Sequence, residues 1–231
     1  MHSFGALVAT MRLSLYAVIL SVLWAGCSSM THGNASSNLD TLAARLASNH
    51  VEEMATGLSD DPHVDELWKE FPDPNFYASL VEDGHRADPV RFGAAVVLFA
   101  KRRERLLQIE PRTVADVFAS ALKHNLAGYA YPWGRLWASP DPVGYLGQVF
   151  VQIGRPALPA LAALLDDATP RDTYLGSEEA TEMAQRRYRV KDFAAVYIAR
   201  ILKLELPWEP DLARRDAAIA RLRQAIPKPG H

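Results

Sequence analysis

Four Asp-Pro pairs constrain the fold of this chain more than any other feature of its sequence. The aspartate of each pair is a predicted helix N-cap, whose carboxylate accepts a hydrogen bond from a backbone N–H that has no partner within the helix. Proline at the first helical position lacks the N–H that would go unpaired there anyway. The pairs therefore predict four helix starts: Asp61-Pro62, Asp73-Pro74, Asp88-Pro89 and Asp141-Pro142.

Apolar residues from about residue 39 onward recur at spacings of three and four, which is the period of an amphipathic helix. Gly154 follows one such run at a position where a helix C-cap favours a left-handed residue, and Ser177 before Glu178 and Glu179 predicts a further helix start. Alternating β-branched runs are scarce, so the sequence predicts an all-α domain over residues 39–231. The apolar faces comprise Leu39, Leu42, Ala43 and Leu46; Val64, Leu67, Trp68 and Phe71; Val143, Leu146, Val149, Phe150 and Ile153; and Ile219, Leu222 and Ile226.

Two distant segments, 90–96 and 190–196, share the pattern Val-basic-x-x-Ala-Ala-Val. Their paired alanines, among them Ala94 and Ala194, are predicted to lie inside, where helices approach closely. Before the second copy stands Gly154-Arg-Pro-Ala-Leu-Pro-Ala-Leu161, which is followed by Asp166-Asp167. This order resembles a HEAT repeat over residues 153–203 and partly near 88–100, although a long polar insertion, 166–189, replaces the tight turn of the family. The resemblance implies helical hairpins stacked as a short right-handed solenoid; an irregular helical bundle is the alternative.

The N-terminus resembles a bacterial lipoprotein signal. Arg12 precedes the uncharged run Leu13–Ala25, which is about 20 Å long as a helix and too short to span a membrane core of roughly 30 Å. The small pair Ala25-Gly26 stands directly before Cys27, the single cysteine of the chain. We predict a signal peptide over 1–26, with translation starting at Met11, and a lipidated Cys27 followed by a flexible tether over 27–38. An ordinary signal peptide with a coincidental cysteine is the alternative.

The resemblance to lipoproteins implies diacylglycerol on the sulfur of Cys27 and an acyl chain such as palmitate on its amine. Several chains anchor durably where one does not, since each buried methylene contributes about 0.8 kcal/mol. Ser28 rather than Asp follows the cysteine, which by analogy favours the outer membrane, facing the periplasm. The composition also argues against several classes of function. A net charge of −2 does not favour binding to nucleic acid. A single cysteine excludes an internal disulfide and a zinc site built from several cysteines.

Candidate binding residues fall into two segments. The ring-rich loop around Tyr129, Tyr131, Trp133 and Trp137 has neither helical nor strand-like spacing and suits peptide or glycan contacts; alternatively its rings fill the space between helices. The insertion 166–189 mixes charges of both signs, as a protein-binding connection does, and offers Arg186 and Arg187; a solvated helical excursion is the alternative.

Catalytic and metal motifs are absent from the sequence, and no cofactor is expected. The acidic cluster Asp60, Asp61, His63, Asp65 and Glu66 offers oxygens and an imidazole that could bind a divalent cation, but first-turn carboxylates also complement a helix dipole. The sequence thus favours a non-enzymatic scaffold that is anchored in the envelope and binds a protein partner.

The alternative function is a carboxylate-dependent envelope hydrolase or lyase, which leaves no strong motif. It would use Glu178, Glu179 or Asp192 near Arg187 as acid and base.

Overall fold

Helices make up the regular structure of the chain in the computed structural model. The residues that the structure describes are 61–128, 132–136, 142–171, 185–207 and 209–227, with Met54, Ala55 and Ala130, and all belong to one compact unit, Ala43–His231. Within them no strand occurs, and Pro170 and Arg189 form an isolated β-bridge. The all-α prediction is confirmed. The helices are α1 Pro62–Glu70, α2 Pro74–Glu82, α3 Asp88–Lys101, α4 Arg103–Leu107, α5 Pro111–His124, α6 Gly147–Ile153, α7 Leu158–Ala163, α8 Val190–Leu202 and α9 Leu212–Ala225, with a 3-10 turn at Arg155–Ala157.

Two of the predicted Asp-Pro starts are confirmed atom by atom. The carboxylate of Asp61 accepts a hydrogen bond from the backbone N–H of His63 at 2.7 Å, and α1 begins at the following proline. Asp73 caps α2 in the same way, with a distance of 2.9 Å to the backbone nitrogen of Asn75. Local sequence therefore decides both of these helix starts.

The other two Asp-Pro predictions were wrong in position. Helix α3 begins one residue early, so Asp88 lies in its first turn, Ala87 is the N-cap, and the Asp88 carboxylate instead accepts from the Ser120 hydroxyl. Pro142 starts no helix, because residues 142–146 pair with an earlier turn and α6 begins only at Gly147. The predicted helices at Leu39–Leu46 and Ser177, and the residue Asp141, lie outside the described residues.

Helices pack mainly against helices that are near in sequence. Helix α3 contacts α1, α2 and α5; α5 contacts α6, the 3-10 turn and α7; α8 packs on α6 and α7, and α9 packs on α8. The shared pattern Val-basic-x-x-Ala-Ala-Val lies on α3 and α8, and its alanines are buried, Ala94 and Ala194 completely. The prediction that these alanines lie inside the domain is confirmed.

Five fully buried aromatic rings connect α3, α5, α6, α8 and the turn that contains Trp133. Phe92 of α3 meets Phe118 of α5 edge-on, with ring centroids 5.6 Å apart. Phe150 of α6 meets Phe118 at 6.2 Å and stacks on Tyr197 of α8 at 5.3 Å. Each such pair contributes about 0.5–1.5 kcal/mol beyond its buried area. The fifth ring, Trp133, lies between Phe92 and Phe150, at 6.2 and 6.5 Å.

Two glycines allow the turn that carries Trp133 to touch residues 142–146. A Cβ on Gly134, where φ is +140°, would lie 2.1 Å from the carbonyl oxygen of Pro142. A Cβ on Gly144 would lie 2.4 Å from the carbonyl oxygen of Pro132. Only glycine fits so close to another backbone. A 2.9 Å hydrogen bond from the Gly144 N–H to the Trp133 carbonyl stabilises this contact.

Enlarging either buried alanine should overpack the core. We expect Ala94→Leu and Ala194→Leu each to lower the free energy of unfolding by about 1–3 kcal/mol, because three added carbons must displace well-packed neighbours. Chemical denaturation measures the loss. Ala220→Leu, at an exposed position of α9, is the matched control and should change stability by less than about 0.5 kcal/mol. Equal losses in all three variants would contradict the interior assignment.

Candidate functional site

The predicted site residues divide between the described and the undescribed parts of the chain. Cys27, Tyr129, Tyr131 and Trp137 lie outside the described residues. Trp133, Arg186 and Arg187 lie inside them, and the structure separates these three into two quite different environments.

Trp133 belongs to the core rather than to a binding surface. Its relative exposure is 0%, and its ring lies among Phe92, Phe118 and Phe150. The carbonyl of Trp133 accepts a 2.6 Å hydrogen bond from the hydroxyl of Tyr197, whose pKa is raised well above its ordinary value by complete burial. The interpretation of Trp133 as a partner-binding ring is therefore corrected: it fills space between helices, the alternative that the loop spacing also allowed.

Arg186 and Arg187 lie near the second end of the polar insertion, and this part of the insertion is called its rim below. Next to them along the chain, the two ends of the insertion run antiparallel. The Arg171 N–H donates to the Tyr188 carbonyl at 2.8 Å, and the Val190 N–H donates to the Thr169 carbonyl at 3.0 Å. The described ends of the connection between α7 and α8 are thus joined to each other by backbone hydrogen bonds.

Arg171 fixes the first end of the insertion to helix α5. Its side chain is buried, and its guanidinium donates to the Leu122 carbonyl at 3.0 and 2.5 Å and also to the Lys123 carbonyl. These carbonyls belong to the last turn of α5, where the helix has no N–H left to offer them. A cation at this end also complements the helix dipole.

Asp192 fixes the second end through a buried ionic network. Its carboxylate, 2% exposed as a residue, accepts from Arg189 Nε and Nη2 at 3.2 and 2.9 Å and from the Arg189 backbone N–H at 2.9 Å. Arg215 of α9 adds a fourth bond, at 2.8 Å. The paired arrangement on Arg189 is the bidentate geometry that makes guanidinium–carboxylate contacts strong. One carboxylate therefore joins α8, α9 and the insertion.

Asp216 extends the network to the protein surface. It forms ion pairs with Arg189 and Lys191 at 2.8 and 2.9 Å. Partial burial would raise the pKa of Asp216, but the hydrogen bonds and charges of Arg189 and Lys191 outweigh it and lower that pKa. Asp216 therefore stays ionised, and paired with both cations, to a lower pH than an ordinary aspartate would.

The network also sets the backbone at the rim of the insertion. Arg215 donates to the Arg186 carbonyl at 3.1 Å, to the Arg187 carbonyl at 3.4 Å and to the Glu209 carbonyl at 3.1 Å. Arg187 has a left-handed backbone with φ of +50°, and its side chain is exposed. A non-glycine residue in this region is strained and persists where its surroundings hold it. Arg187 follows the helical residues 185–186, a position where a helix end commonly adopts this conformation, and the bond from Arg215 to its carbonyl restricts the backbone further.

Asp192 is unsuited to the acid–base role considered for it in the alternative function. Both of its oxygens are occupied by N–H donors, and the group is buried. Glu178 and Glu179, the other candidates, lie outside the described residues.

The acidic cluster considered as a cation site is used differently. Asp61 caps α1 and Asp65 pairs with Lys101; Asp60 is outside the described residues. Across the part of the chain that the structure describes, no group of three His, Cys, Asp or Glu side chains is placed to hold a metal ion.

Sequence reasoning missed Arg171, Arg189, Arg215 and Asp216, which form the anchors of the insertion. One local signal was available. Asp192 stands three residues after Arg189, which is the spacing at which a first-turn carboxylate reaches back to the residue before the helix. The contacts of Arg171 with α5 and of Arg215 with Asp192 span 49 and 23 residues, and nothing in the local pattern indicates them.

None of the described helices is both long and apolar enough to cross a membrane. In comparisons with known proteins, no family model, curated protein or solved structure matches the chain.

Removing the central carboxylate should destabilise the domain strongly. We expect Asp192→Ala to cost about 3–5 kcal/mol in the free energy of unfolding, because Arg215 would be left buried without its counter-charge and Arg189 would keep only its pair with Asp216. Denaturant unfolding followed by circular dichroism measures it. Asp166→Ala is the matched control: it breaks an ion pair with Arg223 whose side chains are 81% and 46% exposed, so its cost should stay below about 1 kcal/mol. Similar costs for the two variants would refute the anchoring role of Asp192.

Proposed function

We propose that this protein is a lipid-anchored envelope scaffold that binds a protein partner without catalysing a reaction. Cys27 carries the lipid, residues 27–38 form the tether, and the helical domain faces the periplasm from the outer membrane. In this proposal the helices are HEAT-like hairpins stacked as a short right-handed solenoid, and the partner contacts the rim of the insertion at Arg186 and Arg187.

The conformation of Arg187 is the observation that carries the binding role. The backbone of this exposed arginine is left-handed, its carbonyl accepts a hydrogen bond from the buried guanidinium of Arg215, and that guanidinium is paired with the buried carboxylate of Asp192. Taking such charges out of water costs several kcal/mol per ion, and apolar side chains of similar volume would often stabilise a fold as well or better. Positioning an exposed recognition residue at the rim is a role that would account for this buried ion pair.

Repeat stacking is supported by the packing. The shared pattern of α3 and α8 places buried alanine pairs on two helices 100 residues apart, and helices pack mainly on their neighbours in sequence. Nearest-neighbour packing of this kind is typical of helical repeats. The lipid anchor is supported by the short apolar run that ends at the sole cysteine.

Replacing Cys27 should separate anchoring from folding. We expect Cys27→Ala to abolish incorporation of radioactive palmitate and to leave the domain either soluble after export or uncleaved, because the sulfur that would carry diacylglycerol is gone. The test is palmitate labelling combined with fractionation of membranes. Incorporation equal to that of the wild type, or no incorporation in the wild type, would refute the anchor.

Reversing the charge at the rim should weaken partner capture without unfolding the domain. We expect Arg187→Glu to reduce recovery of the cross-linked partner from intact envelopes at least several-fold, while the melting temperature stays within a few degrees because the side chain is exposed. Arg112→Glu, at an exposed position of α5, is the matched control and should capture as the wild type does. If the wild type captures no partner at all, the scaffold function itself is wrong.

A further inference from the structure

A second group of arginines contacts aromatic rings and amides, whereas the buried arginines contact carboxylates. Arg102, Arg103 and Arg105, together the arginine cluster, stand where α3 ends and α4 begins. Arg102 and Arg103 are exposed and Arg105 is half-buried. They fall within four consecutive residues, and their side chains reach three different helices: Arg102 contacts α1, Arg103 contacts α6 and Arg105 contacts α2.

Neutral groups position all three guanidinium groups. That of Arg102 lies over the ring of Trp68, 4.9 Å from its centroid, and that of Arg103 lies over the ring of Phe99 at 4.5 Å. Arg103 Nε donates to the amide oxygen of Gln152 and Arg105 Nε donates to that of Asn75, both at 3.0 Å. Ring and amide contacts restrict the side chains but leave their charge uncompensated.

No carboxylate pairs with the arginine cluster in the part of the chain that the structure describes. The neighbouring cation Lys101 pairs with Asp65, whereas Glu104, which lies within the cluster, pairs with none of the three arginines. A guanidinium has five N–H donors, and Arg103 and Arg105 each use only Nε. Their two terminal nitrogens therefore remain available as the pair of donors that a carboxylate binds in bidentate fashion.

We propose that the arginine cluster is a docking surface for an acidic segment of a protein partner, an inference that rests on the scaffold function proposed above. Arg103 and Arg105 each present a pair of terminal N–H donors that matches a carboxylate in charge and in planar geometry, and Arg102 adds a third positive charge. Anionic membranes are recognised by clusters of four to eight basic residues, and this cluster has three. Arginine next to aromatic rings is also the composition of protein–protein hot spots.

The test uses the full chain in detergent and a fluorescein-labelled peptide of alternating Glu and Ala, with the matched Gln and Ala peptide as the uncharged probe. Fluorescence anisotropy should show binding of the acidic peptide only. Replacing all three arginines (R102Q, R103Q and R105Q) should weaken binding about tenfold or more, since charge-assisted hydrogen bonds are lost. The variant R103K with R105K keeps the charge but loses the bidentate geometry, and an intermediate affinity is expected.

The control variant removes three exposed arginines elsewhere, as R112Q, R214Q and R221Q, and should bind the acidic peptide as the wild type does. Equal binding of the two peptides, or equal losses in the cluster and control variants, would overturn the proposal. Flotation of the Cys27→Ala chain with phosphatidylglycerol vesicles tests whether the cluster binds lipid instead. Vesicle binding that depends on the cluster, without binding of the acidic peptide, would assign the surface to lipid and would also overturn the proposal. Partner capture from envelopes by the wild type, together with equal binding of the acidic peptide by the cluster and control variants, would retain the scaffold function but refute this docking surface.

Discussion

The carboxylate of Asp192 is the contact on which the C-terminal half of the domain depends. It binds Arg189 at the start of α8 and Arg215 of α9, and Arg215 in turn holds the carbonyls of Arg186 and Arg187 at the end of the insertion. The hydrophobic effect is nondirectional, so by itself it does not set the orientation of one helix against another. A buried ion network does set it, because a displaced partner leaves a charge without compensation. Asp192 therefore fixes position and orientation where apolar packing would leave freedom.

The aromatic core has the corresponding role for the middle of the chain. Trp133 stands in a turn rather than a helix, yet its ring and carbonyl contact rings from α3, α5, α6 and α8. Residues 142–146 follow this turn closely, with Gly144 and Leu146 bonded to its carbonyls. Tertiary contact thereby overrides the local tendency of Pro142 to begin a helix. Two irregular segments become part of the core because two glycines let their backbones touch.

Local physics explains which sequence predictions succeeded. The caps at Asp61 and Asp73 and the buried faces of α1, α3 and α8 were predictable, because each depends on residues within one or two helical turns. Gly154 likewise ends α6 with a positive φ of 72°, as its position after the apolar run predicted. The burial of Trp133 was not predictable from spacing, since a ring-rich loop has the same pattern whether it faces solvent or core. The network around Asp192 depends on long-range pairing, which a single sequence does not encode in any local pattern.

Arginine serves this protein in two opposite ways, and the partner of each guanidinium tells them apart. Arg189 and Arg215 are buried and paired with Asp192, and Arg189 also pairs with Asp216, so their charge contributes to internal geometry and is hidden from other molecules. Arg102, Arg103 and Arg105 are held by rings and amides, which orient them without neutralising them. A run of basic residues is visible in the sequence from Lys101 to Arg105, but the sequence does not show whether acidic side chains meet it. Since the charge is positioned yet uncompensated, the arginine cluster can bind acidic groups outside the chain, as the buried arginines cannot.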